Sequence, residues 1–487
     1  MMNTSRPLVV IGGGPAGMGA AIEAARAGLS STVIDEAPAL GGQIYRQPPK
    51  DFRVKDTAAL GKDFADGERL RAEFNSVSDQ VEYLPATSVL GVWPNKHVLW
   101  ASDTTSGIIE ADQIVVATGA YERAVPFPGW TLPGVMTAGG VQTLIKTLRV
   151  SPGRRALVAG AGPLTLSVAR RLREIGVEVV AVLDASEPWL ETLCRESGDS
   201  GLHRSILENH EYLRHCGIRV FHNHTIFSAI GKNEVEKASF GPVDPADWRP
   251  QWAQEQTTAV DLVCLGFGFI PNSELTQLAR CDHRYVHELG GWVPVRAATM
   301  RTSVPGVFAV GDGAGITGAL ASLEEGRIAG ITAAESAGFI SRAEADLRRA
   351  GPFARLASIK AAFSTLGKLT RIRPGVLELM RPETLVCRCE EVSLAEVTAA
   401  LDEGAGDLQA LKLRTRLGMG ACQGRNCAPS MGMKMCQVTG RKPEQIGRIN
   451  PRPPIKPVTF GTLAQMKGID EVPANDSLDA INTGGSP

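Results

Sequence analysis

The apolar residues of this chain come in short unbroken runs, and several runs end in glycine. Leu8–Ile11 is apolar throughout, breaks at Gly12-Gly13-Gly14-Pro15-Ala16-Gly17 and passes into the Ala-rich stretch Met18–Ala27. Gly28 stops that stretch, and Thr32–Ile34 leads to Asp35. A strand-length run, a helix-length run and a second strand-length run predict a β-α-β unit, its strands parallel and covered on both faces. The pattern recurs at Ala156–Ala159, with Gly160-Ala161-Gly162-Pro163-Leu164-Thr165 as the turn. A helix over Leu166–Ile175, a strand over Val177–Leu183 and Asp184 follow it. Gln113–Ala117, Asp261–Leu265 and Ser303–Val310 are further buried strands, and Gly318–Ser336 is helical. Between the first unit and Gln113 the pattern predicts a polar helix, Leu60–Phe74, then an antiparallel meander of Val81–Leu84, Ser88–Trp93 and His97–Trp100.

The glycines give these units a chemistry. In a G-x-G-x-x-G turn, Gly12 allows the tight bend, Gly14 lets the backbone approach a pyrophosphate and Gly17 lets helix pack on strand. Pro15 and Ala16 open the helix, whose N-terminal N–H groups and dipole favour phosphate. Asp35, with Glu36 beside it, is placed to accept hydrogen bonds from an adenosine ribose. Gly41-Gly42-Gln43 suggests backbone passing close to a ligand. In the second unit Gly160 and Gly162 are present, but Thr165 stands where a third glycine would be. That change should loosen helix–strand packing or shift the helix start. Asp184 favours an unphosphorylated ribose. Whether this unit holds NAD, another adenine nucleotide or nothing stays open.

Composition narrows the class. The chain has 487 residues, 21% charged and 43% apolar, with a net charge of −1. That length implies several domains, and the balance offers no general attraction for nucleic acid or anionic membranes. No run has the length of a membrane span, so a cytoplasmic location is expected. His203, His210, His215, His222 and His224 are close in sequence, and His222 and His224 would share one face of a strand. Without Cys or carboxylate at ligand spacing, surface or packing roles are expected for them. Lone His97 is read as structural.

Four of the nine cysteines form two tight pairs, Cys387-Arg388-Cys389 and Cys422-…-Cys427, with helices expected at Ser393–Asp402 and Asp407–Arg414 between them. Four thiolates on such a frame hold either a 2Fe–2S cluster or zinc. Attachment to a flavin-type lobe favours the cluster, because a one-electron carrier pairs naturally with flavin. Arg414, Arg416 and Arg425 either moderate cluster charge or are solvated. Cys436 stands outside the pairs. Residues 340–380 are basic and helical, and the Pro451–Pro457 segment is suited to lying across another surface. The final fifteen or so residues are polar and read as disordered.

These motifs together resemble a known family over nearly the whole chain. GGQ, ATG at Ala117-Thr118-Gly119 and the Gly311-Asp312 turn resemble FAD enzymes of thioredoxin-reductase type. With PGVMTAGGVQ, AGAGPLTLSVA, VCRCEEV and GMGACQGRNC, the chain resembles the FAD- and 2Fe–2S-containing large subunit of bacterial heteromeric amine dehydrogenases. Opine (octopine, nopaline) dehydrogenase, D-hydroxyproline dehydrogenase and hydrogen cyanide synthase subunits belong there. The resemblance implies an α/β fold of two Rossmann-like lobes, plus a helical four-Cys module resembling the bacterioferritin-associated ferredoxin domain. It implies a discontinuous FAD lobe (residues 1–125 and 290–345), an inserted second lobe (126–289) and a connector (346–380). A 2Fe–2S module (381–445) and a Pro-rich tail (446–487) complete the chain. FAD would lie on Gly12, Gly14, Pro15, Ala16, Gly17, Asp35, Glu36, Gly42, Gln43, Ala117, Thr118, Gly119, Gly311 and Asp312. The cluster would lie on Cys387, Cys389, Cys422 and Cys427. The implied partners are a D-amino-acid-oxidase-like β flavoprotein chain and a small ferredoxin-like one. No catalytic acid–base pair, redox dithiol or nucleophile motif is legible, so catalytic residues stay unassigned. The expected function is electron transfer in an opine or imino-acid dehydrogenase, and the alternative is a role in a hydrogen cyanide synthase. The competing classes are a stand-alone NAD(P)H-dependent reductase and a zinc-stapled assembly protein.

Overall fold

The computed structural model describes residues 5–49, 51–54, 57, 60–197 and 201–464, with the side chains of 196, 197, 201 and 202 left out. The first lobe begins with β1 (Ser5–Ile11), α1 (Pro15–Arg26) and β2 (Ser31–Ile34). Helix α2 (Lys62–Asn75), β3 (Val81–Leu84), β4 (Ser88–Val92), β5 (His97–Ala101) and β6 (Ser106–Val116) follow. These strands form one sheet in the order β3-β2-β1-β6-β5-β4. Here the expected meander is corrected. Strand β3 pairs parallel with β2, Ser31 opposite Val81, and the antiparallel ribbon is β4-β5-β6. Buried Val81 caps the parallel core, which outweighs its closeness in sequence to β4.

The chain leaves this lobe through β7 (Ala120–Glu122) and builds the second with β8 (Val135–Thr137), α3 (Ala138–Gln142), β9 (Arg155–Gly160), α4 (Pro163–Glu174) and β10 (Glu178–Asp184). Helices α5 (Leu190–Ser197) and α6 (Gly201–His215) lead to β11 (Val220–His222). Strands β12 (His224–Ile230), β13 (Lys237–Pro242) and β14 (Gln256–Ala259) form an antiparallel sheet beside it. Strand β15 (Leu262–Gly266) completes the parallel order β11-β10-β9-β15-β8. The expected sharing of a strand face by His222 and His224 is overturned. Asn223 between them has φ 55, and the two histidines end up in different sheets. The left-handed residue turns the chain out of one sheet into the next.

Strand β16 (Phe269–Pro271) pairs antiparallel with β7, so a two-stranded ribbon joins the lobes. Helix α7 (Glu274–Leu278) and the hairpin of β17 (His283–Val286) and β18 (Gly291–Pro294) follow. Strand β19 (Val307–Ala309) then adds parallel to β6, so residues far apart in sequence share the first sheet. Helix α8 (Gly318–Ser336) packs directly on α1. A side chain at Gly326 would meet the Ala16 carbonyl at 1.9 Å, and one at Gly330 the Ala20 carbonyl at 2.2 Å. The Ala- and Gly-rich composition of both helices is what permits this approach.

Helix α9 (Arg342–Thr370) runs through Pro352 and reaches across to the second lobe. The cysteine module comprises β20 (Leu385–Cys387), β21 (Val392–Ser393), α10 (Leu394–Asp402), α11 (Leu408–Thr415) and α12 (Ala428–Thr439). Ser393 and Glu396 form a capping box on α10, and Asp407 caps α11. The module shares one continuous apolar core with the outer face of the second lobe, from Val125 and Trp248 to Leu411 and Met431. The proline-rich segment lies across the first lobe: Ile455 N donates to Leu90 O at 2.9 Å, and the Ile455 side chain is buried there. The polar terminus beyond 464 lies outside the described residues.

Candidate functional site

In the first lobe Gly12 makes the tight bend and Gly17 the close helix–strand packing expected of them. Gly12 has φ 110, and a side chain there would meet the Ala117 carbonyl at 2.3 Å. This ties the turn to the Ala117-Thr118-Gly119 segment. A Cβ at Gly17 would sit 1.7 Å from Gly12 O, so no residue but glycine fits at that depth. Gly14 ends in extended backbone as the N-cap, and Pro15 opens α1. The Gly41-Gly42-Gln43 loop passes against the turn, since a Cβ at Gly42 would meet the Gly14 Cα at 2.9 Å. Asp35 closes β2. Its Oδ2 accepts from Gly13 N at 2.7 Å and its Oδ1 from Ala37 N at 2.9 Å. Burial pushes its carboxyl above the usual range against those two hydrogen bonds. Glu36 pairs with Lys456 of the proline-rich segment.

Asp312 comes to the same end of the sheet. Its Oδ1 accepts from Thr317 N at 2.9 Å and Gly318 N at 2.8 Å, so the start of α8 orients it. A Cβ at Gly311 would lie 3.0 Å from the Ala16 Cβ, and one at Gly313 would lie 2.8 Å from Thr118 Oγ1. The glycine turn, the ATG segment and the Gly311-Asp312 turn therefore form one cluster, as the sequence predicts. Glu325, which no motif singles out, fastens it: Oε2 accepts from Gly311 N at 2.9 Å, and Arg296 pairs with Oε1 at 2.8 Å. Burial opposes ionisation of Glu325, but Arg296 and Lys360 outweigh it and hold the carboxyl below its ordinary value. A glutamate on the apolar face of α8 was the available signal. Glu122 is a second group outside the motifs. It is half-buried on the inter-lobe ribbon, accepts from Gly139 N at 2.7 Å and has its carboxyl raised by desolvation. Arg46, three residues past Gln43, lies close enough to favour its charge.

The second turn is built alike and covered. Helix α4 starts at Pro163, as α1 starts at Pro15, so the alternative of a shifted start is overturned. Thr165 is fully buried, and its hydroxyl donates to Gly162 O at 2.7 Å, replacing the contact a glycine would make. Gly162 has φ 85, and a Cβ there would meet the side chain of Thr370, the last residue of α9, at 3.2 Å. A Cβ at Gly160 would sit 2.1 Å from Gly266 O. Asp184 is committed: it accepts from Trp189 Nε1 at 2.8 Å, Ser186 N at 2.9 Å and Gly162 N at 3.4 Å. Burial pushes its carboxyl up despite those donors. The three residues expected at a second nucleotide site thus come together beneath α9, which the sequence did not reveal.

The cysteines meet across motifs. The Cys387 thiol lies beside that of Cys427, and the Cys389 thiol beside that of Cys422, close enough for each to shift the other's titration. The Cys427 thiol holds Cys387 as the thiolate side of the pair, at a pKa of about 5, and is itself pushed up. Among the described residues no group of three or more His, Cys, Asp or Glu is gathered as one metal ion requires. Arg416 pairs with Glu390 at 2.9 Å and Arg414 with Glu403 at 3.1 Å. Arg425 is not solvated: it reaches Glu274 at 2.8 Å and Ile455 O at 3.0 Å.

Residues 6–338 match the family described as pyridine nucleotide-disulphide oxidoreductase, and residues 381–466 match the sarcosine oxidase A3 domain. The latter span runs past the expected boundary at 445 and takes in the proline-rich segment. The hydrogen cyanide synthase subunit HcnB of Pseudomonas protegens is 35% identical over 93% of this chain and 97% of its own. An opine oxidase subunit of Rhizobium meliloti is 32% identical over 97% of this chain and 90% of its own. The chain belongs to this family of oxidoreductase subunits. Its flavoprotein-type domain and its likeness to subunits of multi-chain enzymes agree. Among solved structures, the L-proline dehydrogenase from P. horikoshii shares the fold, with a TM-score of 0.67 at 22% identity over 94% of this chain and 79% of that one. Thioredoxin reductase from T. acidophilum follows at 0.51 and 18%, over 69% of this chain and 99% of that one. No helix among the described residues is long and apolar enough to cross a membrane.

Proposed function

We propose that this chain is the electron-transfer subunit of a heteromeric dehydrogenase acting on the C–N bond of an opine or imino acid. The substrate would be oxidised at a partner flavoprotein related to D-amino-acid oxidases. The cross-motif pairing Cys387–Cys427 and Cys389–Cys422, on one folded unit with an open flavin-type glycine turn, carries the reading. Two neighbouring thiol pairs suit a 2Fe–2S cluster, in which each iron takes two cysteine thiolates beside the bridging sulfides, better than one zinc ion. In the first lobe Gly12, Gly14, Pro15, Ala16 and Gly17 would face the FAD pyrophosphate. Asp35 and Glu36 would take the ribose, Gly42, Gln43 and the ATG segment would pass the flavin, and Asp312 would hold the ribityl chain. Bound, the two groups would supply a two-electron acceptor and a one-electron carrier. The chain's own residues bind and orient: Glu325 sets the Gly311 turn, and Arg46 with Glu122 holds charge balanced between the lobes.

Thr370 over Gly162 favours this reading over a self-contained NAD(P)H reductase, whose pyrophosphate would need that space. A cyanide-synthase role, oxidising glycine, is the alternative that the similarity to HcnB keeps in view. The test is co-expression with candidate partner chains. The intact complex is expected to reduce an artificial acceptor with an opine or cyclic imino acid, and the isolated chain is not. Full-rate substrate oxidation by the isolated chain would refute the proposal. Turnover of the complex with glycine alone would shift it to the cyanide-synthase reading.

A further inference from the structure

A cavity of about 500 Å³ lies between the inter-lobe ribbon, the β17–β18 hairpin and the cysteine module. It is distinct from the flavin-type site. Tyr121 on β7 and Arg123 just past its end line the cavity, while Glu122 between them turns to Gly139 on the opposite face. The cavity's size is that of an ordinary small-molecule pocket, and its walls are mostly apolar, with the rings of Tyr121, Tyr285 and Trp292 among them.

Its charges do not balance. Four guanidinium groups line it, Arg123, Arg425, Arg448 and the exposed Arg452, against one carboxylate, Glu274. Glu274 is engaged by Arg425, whose Nε lies 2.8 Å away and whose guanidinium covers the Tyr121 ring. Arg123 is buried, and its Nη2 donates to the neutral carbonyl of Gly290 at 2.9 Å. Arg448 stacks over Trp292 at 5.2 Å, and its buried Nη1 has no hydrogen-bond partner among the described residues. Burial has lowered its pKa to about 10, although Glu274 is near enough to favour its charge. His287 adds no further positive charge, because burial and Arg123 push its imidazole towards the neutral form. A guanidinium left unpaired in an apolar pocket costs stability, so its retention needs an occupant.

We propose that this cavity binds a small organic dianion with an apolar, ring-sized body. Arg448 Nη1 and Arg123 would meet the two charges, while Trp292 and Tyr285 would enclose the body. Aromatic dicarboxylates and aromatic phosphate monoesters share this chemistry. The walls also include Gln423, Gly424 and Arg425, which lie between Cys422 and Cys427. Occupancy would therefore be felt at the cysteine pairs.

The full chain, saturated with FAD, is titrated calorimetrically with phthalate, phenyl phosphate, benzoate and inorganic phosphate. One or both of the first two are expected to bind at least about tenfold more tightly than benzoate or inorganic phosphate. Which of them binds identifies the source of the charge. Arg448→Met should lose about tenfold or more of that affinity, and Arg448→Lys, which keeps the charge, less. Without ligand, Arg448→Met should melt at or above the native chain, because it removes an unpaired buried cation. Equal affinity for phthalate, phenyl phosphate and benzoate would overturn the proposal. So would unchanged binding by Arg448→Met, or a ligand-free Arg448→Met that melts lower.

Discussion

The strand–glycine turn–helix device occurs twice in this chain, and its two copies part company above the helix N-terminus. At the first turn a glycine loop, Gly41-Gly42, passes beside Gly14, and Asp35 keeps to two backbone donors. At the second, the last residue of α9 lies on Gly162, and Asp184 is tied to an indole as well as to the backbone. The strands and helices are equally good in both. What differs is whether distant chain is packed on the phosphate-binding end. A dinucleotide motif therefore states what a turn could bind, and the segment lying over it decides whether it does.

The sharpest way to break this comparison is at the third glycine position. Gly17→Ala puts a methyl 1.7 Å from Gly12 O and should cost about 3 kcal/mol or more, with flavin lost on purification. Thr165→Gly should leave flavin content unchanged and cost far less. Thermal denaturation and the visible spectrum check both. Retained flavin in Gly17→Ala would show that the first turn is not the binding end.

Next in size is the cysteine module. Cys422→Ser should lower iron from about two atoms per chain to near none, with flavin kept. Metal analysis and the EPR spectrum of the reduced protein read this. The acids come third. Asp35→Asn should weaken FAD by about 1.5–3 kcal/mol, whereas Asp184→Asn should cost about 1–3 kcal/mol of stability and leave FAD binding alone. Equal effects of the two on FAD titrations would erase the distinction between the lobes.

The smallest effect belongs to the β17–β18 hairpin, which follows the ribbon that joins the lobes. The His283 imidazole is pushed down to about 4 from 6.5 by burial and by Arg448, while Nδ1 bonds to Cys281 O at 2.7 Å. The unfolded chain takes up a proton below pH 6.5 that the folded one refuses until about pH 4. Stability from this group is thus present above pH 6.5 and lost as pH falls through that window. His283→Gln should flatten the curve there by about 1–2 kcal/mol, measured by denaturant midpoints at several pH values. The sensitivity belongs to this hairpin, so Asp35→Asn and Asp184→Asn should leave this part of the curve in place.

Much of this was legible beforehand because local rules dictate it. Helix α8 runs over Gly318–Ser336 as its apolar pattern demands, and Ser393 and Asp407 start their helices as capping side chains. The first-lobe cluster was legible as well, because glycines needed for close approach leave a pattern in the chain. Strand β3 was misplaced because four residues of strand do not say which neighbour they will pair with. Asn223 hid a sheet change because a single left-handed residue leaves almost no trace in hydrophobic pattern. Glu325, Glu122 and Arg448 act through partners far along the sequence, which no local window contains.

By itself, the sequence determined the two parallel-sheet units, the backbone demands at Gly12 and Gly17, and the four cysteines that share one module. All of these depend on backbone sterics and residue type within a few positions. Only the tertiary structure decided that Thr370 lies on the second turn, that Cys387 meets Cys427 while Cys389 meets Cys422, and that four arginines share a cavity with one carboxylate. Those outcomes come from packing segments that are remote in the chain against one another. There the burial of apolar surface, which is indifferent to sequence distance, selects the neighbours.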